Sequence, residues 1–450
     1  MSQHYVVRPG GALRGRLRVP GDKSISHRSA MLGAIAEGVT EVSGFLEGAD
    51  ALCTLAAFRA MGVRIEGPQA GRLRVHGAGA RGLRAPSGPL DCGNSGTSMR
   101  LLCGLLSGAG VPAVLVGDDS LSRRPMRRVI EPLAAMGARI DSREGCPPLR
   151  IGPAGALAGV RYALPVASAQ VKSALLLAGL YAAGSTTVVE PAPTRDHTER
   201  MLAGFGWPVR RDGAAVTVDG GARLRGCAID VPADVSSAAF FLVAASIAPG
   251  SDLLLEHVGM NPTRTGVVDI LRRMGASIEV LAPRESGGEP VADLRVRHAR
   301  LHGIEVPPEL VPLAIDEFPA LFVAAACAIG RTVVTGAEEL RVKESDRIGA
   351  MAAGLAALGA RARPAADGMV IEGREPGGAP DAAAFSGGAV ESLGDHRIAM
   401  AFAVAALRAS GPVRIADTGN VGTSFPGFVQ AARGAGIGVD AFDAAGAALP

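Results

Sequence analysis

The sequence predicts an α/β protein of six repeated units, three in each of two domains, and two recurrences along the chain carry that prediction. The first is a helix-like stretch that runs into a small apolar residue, a Gly and a strand-like start. It reads FRAMGVRI (58–65), LAAMGARI (133–140), LAGFGWPV (202–209), LRRMGASI (271–278), LAALGARA (355–362) and ARGAGIGV (432–439). The glycines, Gly62, Gly137, Gly206, Gly275, Gly359 and Gly436, are separated by 75, 69, 69, 84 and 77 residues. Gly after a last helical turn is a C-cap signal, and β-branched residues beyond it open a strand. The second recurrence is a helix rich in small apolar residues. Its copies start near Ser24, Asn94, Ser168, Asp234, Asp316 and Asp395 and run to Gly38, Gly108, Gly184, Gly250, Gly330 and Gly411. Ser, Asn or Asp at each start is N-cap chemistry. Ala, Gly and Ser within these helices suit close packing against sheets, so each unit reads as two helices plus short strands. The period is long for a solenoid, and 450 residues exceed what one core supports, so compact domains are expected.

Composition then narrows the function. An apolar fraction of 48% excludes a disordered chain, and a net charge of +3 excludes a polycationic nucleic-acid binder. Twelve Phe, three Tyr and one Trp leave little for stacking bases. The start MSQHYVVRPGG has neither a signal-peptide core nor a transit-peptide pattern, and runs such as 238–248 are too short to span a bilayer. The six cysteines form no C-x-x-C pair and the eight histidines no ligand-spaced cluster. A reduced, cytoplasmic, monomeric protein without metal or cofactor is expected. Of the 46 basic residues only Lys23, Lys172 and Lys343 are lysine. In so Arg-rich a chain, Lys should persist where a compact, titratable ammonium cannot be replaced by a planar guanidinium.

A buried helix start carries roughly half a positive charge and free N–H groups, which suits anions. Lys23 and Arg28 lie at the first small-residue helix start, Arg100 in the second, Lys172 at the third and Arg397 at the sixth. Such starts converging between domains would hold a small, multiply anionic molecule. In PGDKSISHR (20–28), Lys23 offers a point charge, Ser24 a hydroxyl and Arg28 a fork for phosphate or carboxylate. LSRRPMRRV (121–129) sets Arg123, Arg124, Arg127 and Arg128 at helical spacings that repel unless an anion intervenes. RVKESDR (341–347) places Lys343 and Arg347 at i,i+4 with Glu344 between them. IDEFP and DHR set Asp316 and Asp395 at helix starts, where a simple cap explains either one taken alone.

Together the ordered motifs PGDKSISHR, GNSGTSMR, SRRPM, SAQVKSA, TRDHTE, NPTRTG, IDEFP, RVKESDR, GDHRIAM and TSFP make the chain resemble the 5-enolpyruvylshikimate-3-phosphate synthase family nearly end to end. TRDHTE, SAQVK and NPTR resemble its class II bacterial subgroup. The resemblance implies the two-domain enolpyruvyl transferase fold, an inverse α/β barrel of βαβαββ units. Residues 1–20 with 235–450 would form one domain and 21–234 the other, with the active site in the cleft between them. It implies transfer of the enolpyruvyl group of phosphoenolpyruvate to the 5-hydroxyl of shikimate 3-phosphate, in the shikimate pathway, with glyphosate as an inhibitor. By motif position, Lys23, Ser24, Arg28, Ser168, Ala169, Gln170, Arg195, Asp316 and Lys343 would hold shikimate 3-phosphate. Phosphoenolpyruvate would meet Lys23, Gly96, Arg124, Gln170, Arg347 and Arg397. Asp316 is implied as the base for the 5-hydroxyl, with Glu344 and Lys23 as candidates for protonating the methylene carbon.

Two departures stand out. Many relatives have Lys where TSFP has Thr423, which removes one phosphoenolpyruvate contact. GNSGT keeps Gly96 where some glyphosate-tolerant relatives have Ala. The alternatives are a UDP-N-acetylglucosamine enolpyruvyl transferase, whose usual loop Cys is missing from residues 117–128, and a noncatalytic scaffold binding polyanions or RNA. The acids Asp316, Glu344 and Asp395 among the basic motifs speak against the scaffold.

Overall fold

The computed structural model of the protein describes residues 3–153, 155–375, 377 and 382–449. Contacts divide the chain into two units, one of residues 1–20, 233–284 and 290–450, the other of residues 21–232 and 285–289. The second passage thus falls at 232/233 rather than 234/235, and the short loop 285–289 goes with the other unit.

Residues 21–232 carry α1 (Lys23–Ile35), α2 (Ala49–Ala60), α3 (Gly96–Ala109), α4 (Arg127–Ala135), α5 (Ala169–Gly179) and α6 (His197–Gly204). The larger unit carries α7 (Val235–Ile247), α8 (Gly266–Arg273), α9 (Phe318–Cys327), α10 (Arg347–Ala357), α11 (His396–Ala405) and α12 (Phe428–Ala435). The odd-numbered helices are the small-residue ones, and α7 buries all thirteen of its residues. Small residues matter because they let backbones touch. A Cβ at Gly104 of α3 would lie 2.0 Å from the carbonyl oxygen of Ala174 on α5, so only glycine permits this approach. The even-numbered helices end as the sequence indicates: all six recurring glycines adopt φ between +82° and +112°. Of the odd-numbered helices, α3 runs one residue past Gly108, to Ala109, and the others stop earlier than expected. α1, for example, ends at Ile35, and Gly38 supplies a left-handed turn (φ +90°) into the next strand.

Among the described residues, each unit contains three sheets. In the sheet of Val39–Ser43, that strand pairs parallel with Ala228–Asp230 and antiparallel with Arg72–His76, which pairs antiparallel with Arg64–Gln69. The same sequence of one parallel and two antiparallel pairings recurs around Ala113–Val116 and Ser185–Val189. In the larger unit, Asp252–Gly259 pairs parallel with Arg14–Leu17 and antiparallel with Glu289–Arg297. His4–Val7 lies antiparallel between Val413–Ala416 and Val439–Phe442. Each unit has its own apolar cluster, built largely from its odd-numbered helices and the inward side chains of its strands. Among the described residues no helix is long and apolar enough to cross a membrane.

Candidate functional site

The residues expected at the site fall into two groups, one in each unit. In the smaller unit Asp22, not Ser24, caps α1 by accepting from the Ile25 N–H at 2.9 Å. That leaves Ser24 in the first turn beside Lys23, whose ammonium pairs with the buried Asp50 of α2. Asp50 lies in the unremarkable stretch GADALC, and no charge pattern there marks it. Arg28 is buried and spends three of its five N–H groups internally: Nε donates to Thr198 Oγ1 at 2.7 Å, Nη1 to the Ser24 carbonyl at 3.0 Å and Nη2 to Ser173 Oγ at 2.8 Å. Burial lowers its pKa to about 10, and the nearby charge of Arg195 acts in the same direction.

The cap of α3 is Ser95 rather than Asn94, accepting from the Ser98 N–H at 3.0 Å. Asn94 instead accepts from Arg124 Nη2 at 2.7 Å. The four arginines of 121–129 do not share a helix: Leu121–Arg123 is a 3-10 turn, Arg124 is extended and α4 begins at Arg127. This breaks the expected i,i+3 repulsion and aims Arg124 alone at the α3 start. Gly96 opens that helix, and a Cβ there would lie 2.9 Å from Arg100 Nη1 and 3.3 Å from Arg124 Nη1. Arg100 donates to Gln170 Oε1, and Gln170 Nε2 donates to Thr97 Oγ1 at 2.8 Å, joining the starts of α3 and α5. Ser168 caps α5, followed by half-buried Ala169.

Lys172 is not part of this expected anion-binding face. It is wholly buried behind it, 3.0 Å from Glu190 and 2.7 Å from Glu199. Its position one turn into α5 points it inward between two carboxylates, which the sequence spacing did not reveal.

His27, on the buried side of α1, is also fully buried. Burial, and then the charges of Lys23 and Arg28, push its pKa from 6.5 down to about 3. The unfolded chain takes up this proton as pH falls below about 6.5, whereas the folded protein does not. Stability is therefore fully present above that pH and falls by about 2 kcal/mol between pH 7.5 and 5. Denaturant midpoints across that range should show the slope in the parent and a flatter curve in His27→Asn; equal curves reject the assignment.

The larger unit gathers acids and bases more tightly. Asp316 is not a helix cap: α9 starts at Phe318 after Glu317, without a side-chain cap bond. Its carboxylate instead faces three cations, Arg347 Nη1 at 3.3 Å, Lys343 Nζ at 3.5 Å and Arg397 Nη2 at 3.9 Å. Nor do Lys343 and Arg347 share a helix face, because a 3-10 turn ends before Lys343 and α10 begins at Arg347. Arg347 is 1% exposed and also holds Asp395 Oδ2 at 2.8 Å and Glu344 Oε2 at 2.6 Å. Burial alone would lower its pKa, but Asp395, Glu344 and Asp316 outweigh it and raise the pKa, so the guanidinium stays charged. Asp395 is wholly buried; burial acts to raise its pKa, and the Arg347 charge prevails to lower it. It also caps α11, accepting from the Arg397 N–H at 2.9 Å, so the cap expected from DHR is present and is at once an ion-pair partner. Arg397 Nη1 donates to the Asp316 carbonyl at 3.2 Å. Thr423 turns its hydroxyl to the Asn420 carbonyl at 2.7 Å. One carboxylate among three cations can accept a proton while the cations hold phosphate or carboxylate oxygens.

A family model for EPSP synthase (3-phosphoshikimate 1-carboxyvinyltransferase) matches residues 7–431. A 3-phosphoshikimate 1-carboxyvinyltransferase of Alkalilimnicola ehrlichii is 69% identical over 445 residues, covering 99% of this chain and 98% of its own. One from Methylococcus capsulatus is 66% identical, covering 97% and 98%. An EPSP synthase structure from Acinetobacter baumannii superposes with TM-score 0.89 at 55% identity, covering 98% and 100%. The enolpyruvyl transferase NikO of Streptomyces tendae shares the fold, with TM-score 0.77 at 18% identity over the whole of both chains. The chain therefore belongs to the EPSP synthase (3-phosphoshikimate 1-carboxyvinyltransferase) family.

Proposed function

We infer that both groups of residues serve one reaction, transfer of the enolpyruvyl group of phosphoenolpyruvate to the 5-hydroxyl of shikimate 3-phosphate with release of phosphate. The chain has the EPSP synthase activity of the shikimate pathway. The observation that carries the assignment of residues is Asp316 with Lys343, Arg347 and Arg397 within 4 Å. In this reading Asp316 takes the 5-hydroxyl proton, and Arg124, Arg347 and Arg397 hold phosphoenolpyruvate and its departing phosphate. Shikimate 3-phosphate is held by Ser24, Arg28, Ser168, Ala169, Gln170, Arg195 and Lys343. Arg28 also donates to Thr198, Ser24 and Ser173, which ties α1 to α5 and α6. Lys23 and Glu344 remain the groups for protonating the methylene carbon. Lys23 is paired with Asp50 and Glu344 with Arg347.

The six sheets support six repeated units, three per domain. TRDHTE, SAQVK and NPTR support a class II form, and six cysteines without a C-x-x-C pair support a cytoplasmic protein. Phosphate release tests the function: it should require both substrates, and release with either one omitted would overturn the reading.

Gly96 makes glyphosate the informative inhibitor. A methyl group there must push Arg100 or Arg124 aside by a few tenths of an ångström. Gly96→Ala should raise the glyphosate inhibition constant more than tenfold and the KM for phosphoenolpyruvate by less. Unchanged inhibition would sink the assignment of Gly96.

A further inference from the structure

A single buried imidazole ties together the starts of α1, α2 and α3. His27 Nδ1 lies 2.8 Å from Thr54 Oγ1 on α2 and 3.2 Å from Ser98 Oγ on α3. Its Nε2 lies 3.4 Å from Ser95 Oγ, the hydroxyl that caps α3. The hydroxyls close the ring among themselves, Thr54 to Ser98 at 2.7 Å and Ser98 to Ser95 at 2.9 Å. All four side chains are at most 1% exposed, so the ring meets its hydrogen-bonding needs largely from within.

Its placement gives the ring a consequence. Lys23 stands one turn before His27 on α1, and Asp50, the partner of Lys23, one turn before Thr54 on α2. Gly96 and Thr97 lie between Ser95 and Ser98. Asn94, which holds Arg124, directly precedes Ser95. Every arm of the ring thus ends within a turn of a group assigned to phosphoenolpyruvate.

We propose that His27 is a positioning residue for phosphoenolpyruvate: through Thr54, Ser95 and Ser98 it fixes the Lys23–Asp50 pair and the Gly96 turn in one frame, without touching either substrate. This rests on the assignment of Lys23, Gly96 and Arg124 given above. Leu at 27 fills a similar volume but bonds to none of the hydroxyls. Asn restores a donor and an acceptor on the Nδ1 side, towards Thr54 and Ser98.

KM values for both substrates and kcat, measured for the parent, His27→Leu and His27→Asn, test the role. Leu should raise the KM for phosphoenolpyruvate about tenfold, the size expected from losing one or two buried hydrogen bonds, and that for shikimate 3-phosphate by less than threefold. Asn should recover most of the difference. A general loss of stability would instead move both KM values together or neither, with no rescue, and either pattern overturns the proposal. Should Leu prevent folding, Ser98→Ala and Thr54→Val carry the same test with a roughly threefold effect. A parent that fails to turn over both substrates overturns the underlying assignment; normal parent turnover with an unmoved KM in the variants overturns the positioning role alone.

Discussion

Asp316→Asn should lower kcat by about 10²–10⁴-fold while leaving both substrates bound, because the amide keeps the shape and the hydrogen-bonding edge but cannot take a proton. The three cations around it set the sign of the second effect. With the carboxylate gone, Lys343, Arg347 and Arg397 face one another with one negative charge fewer. An anion placed among them is then more welcome, so the KM for phosphoenolpyruvate should hold or fall. Steady-state kinetics decide it. A loss in kcat below tenfold would remove Asp316 from the role of base, and a large rise in KM with kcat intact would make it a binding residue only.

Lys172→Met should cost about 3 kcal/mol of stability. Removing one partner of a buried ion pair leaves the other charge uncompensated, which costs roughly 3–5 kcal/mol, and here Arg211, 2.8 Å from Glu190, lessens the loss. Lys172→Arg keeps the charge and should still cost about 1–3 kcal/mol, because the site between Glu190 and Glu199 is filled by an ammonium and a guanidinium overpacks it. Denaturant unfolding of both variants checks this; parent-like stability in the Arg variant would show that the lysine is interchangeable there.

That lysine shows how far the sequence could be read. Its rarity in an Arg-rich chain singles Lys172 out, but whether it faces an anion or two buried carboxylates depends on which side of α5 it occupies, and Glu190 and Glu199 lie further along the chain. The even-numbered helices were legible down to their closing glycines, because a C-cap is a local device. Helix starts were legible to within a residue or two: Asp22 caps where Ser24 was expected, Ser95 where Asn94 was. Asp316 and Asp395 both read as caps, yet only Asp395 is one; the difference lies in where the helix starts and in tertiary partners, not in residue type. Asp50 and the hydroxyls around His27 were invisible, since nothing in their local sequence shows that α1, α2 and α3 meet.

The route of the chain has a consequence for the order in which the protein is made. In sequence, residues 21–232 form a unit inserted into another, whose segments precede and follow it. During synthesis this inner unit is nearly complete before most of the outer one exists. Strand His4–Val7, by contrast, finds its neighbours only in Val413–Ala416 and Val439–Phe442. It must stay unpaired through nearly the whole of translation, at a few to twenty residues per second for some tens of seconds. An unpaired edge invites other chains, and this one is short and partly exposed, with Arg8 directly following it. A strand made before the inner unit is among the last to find its place.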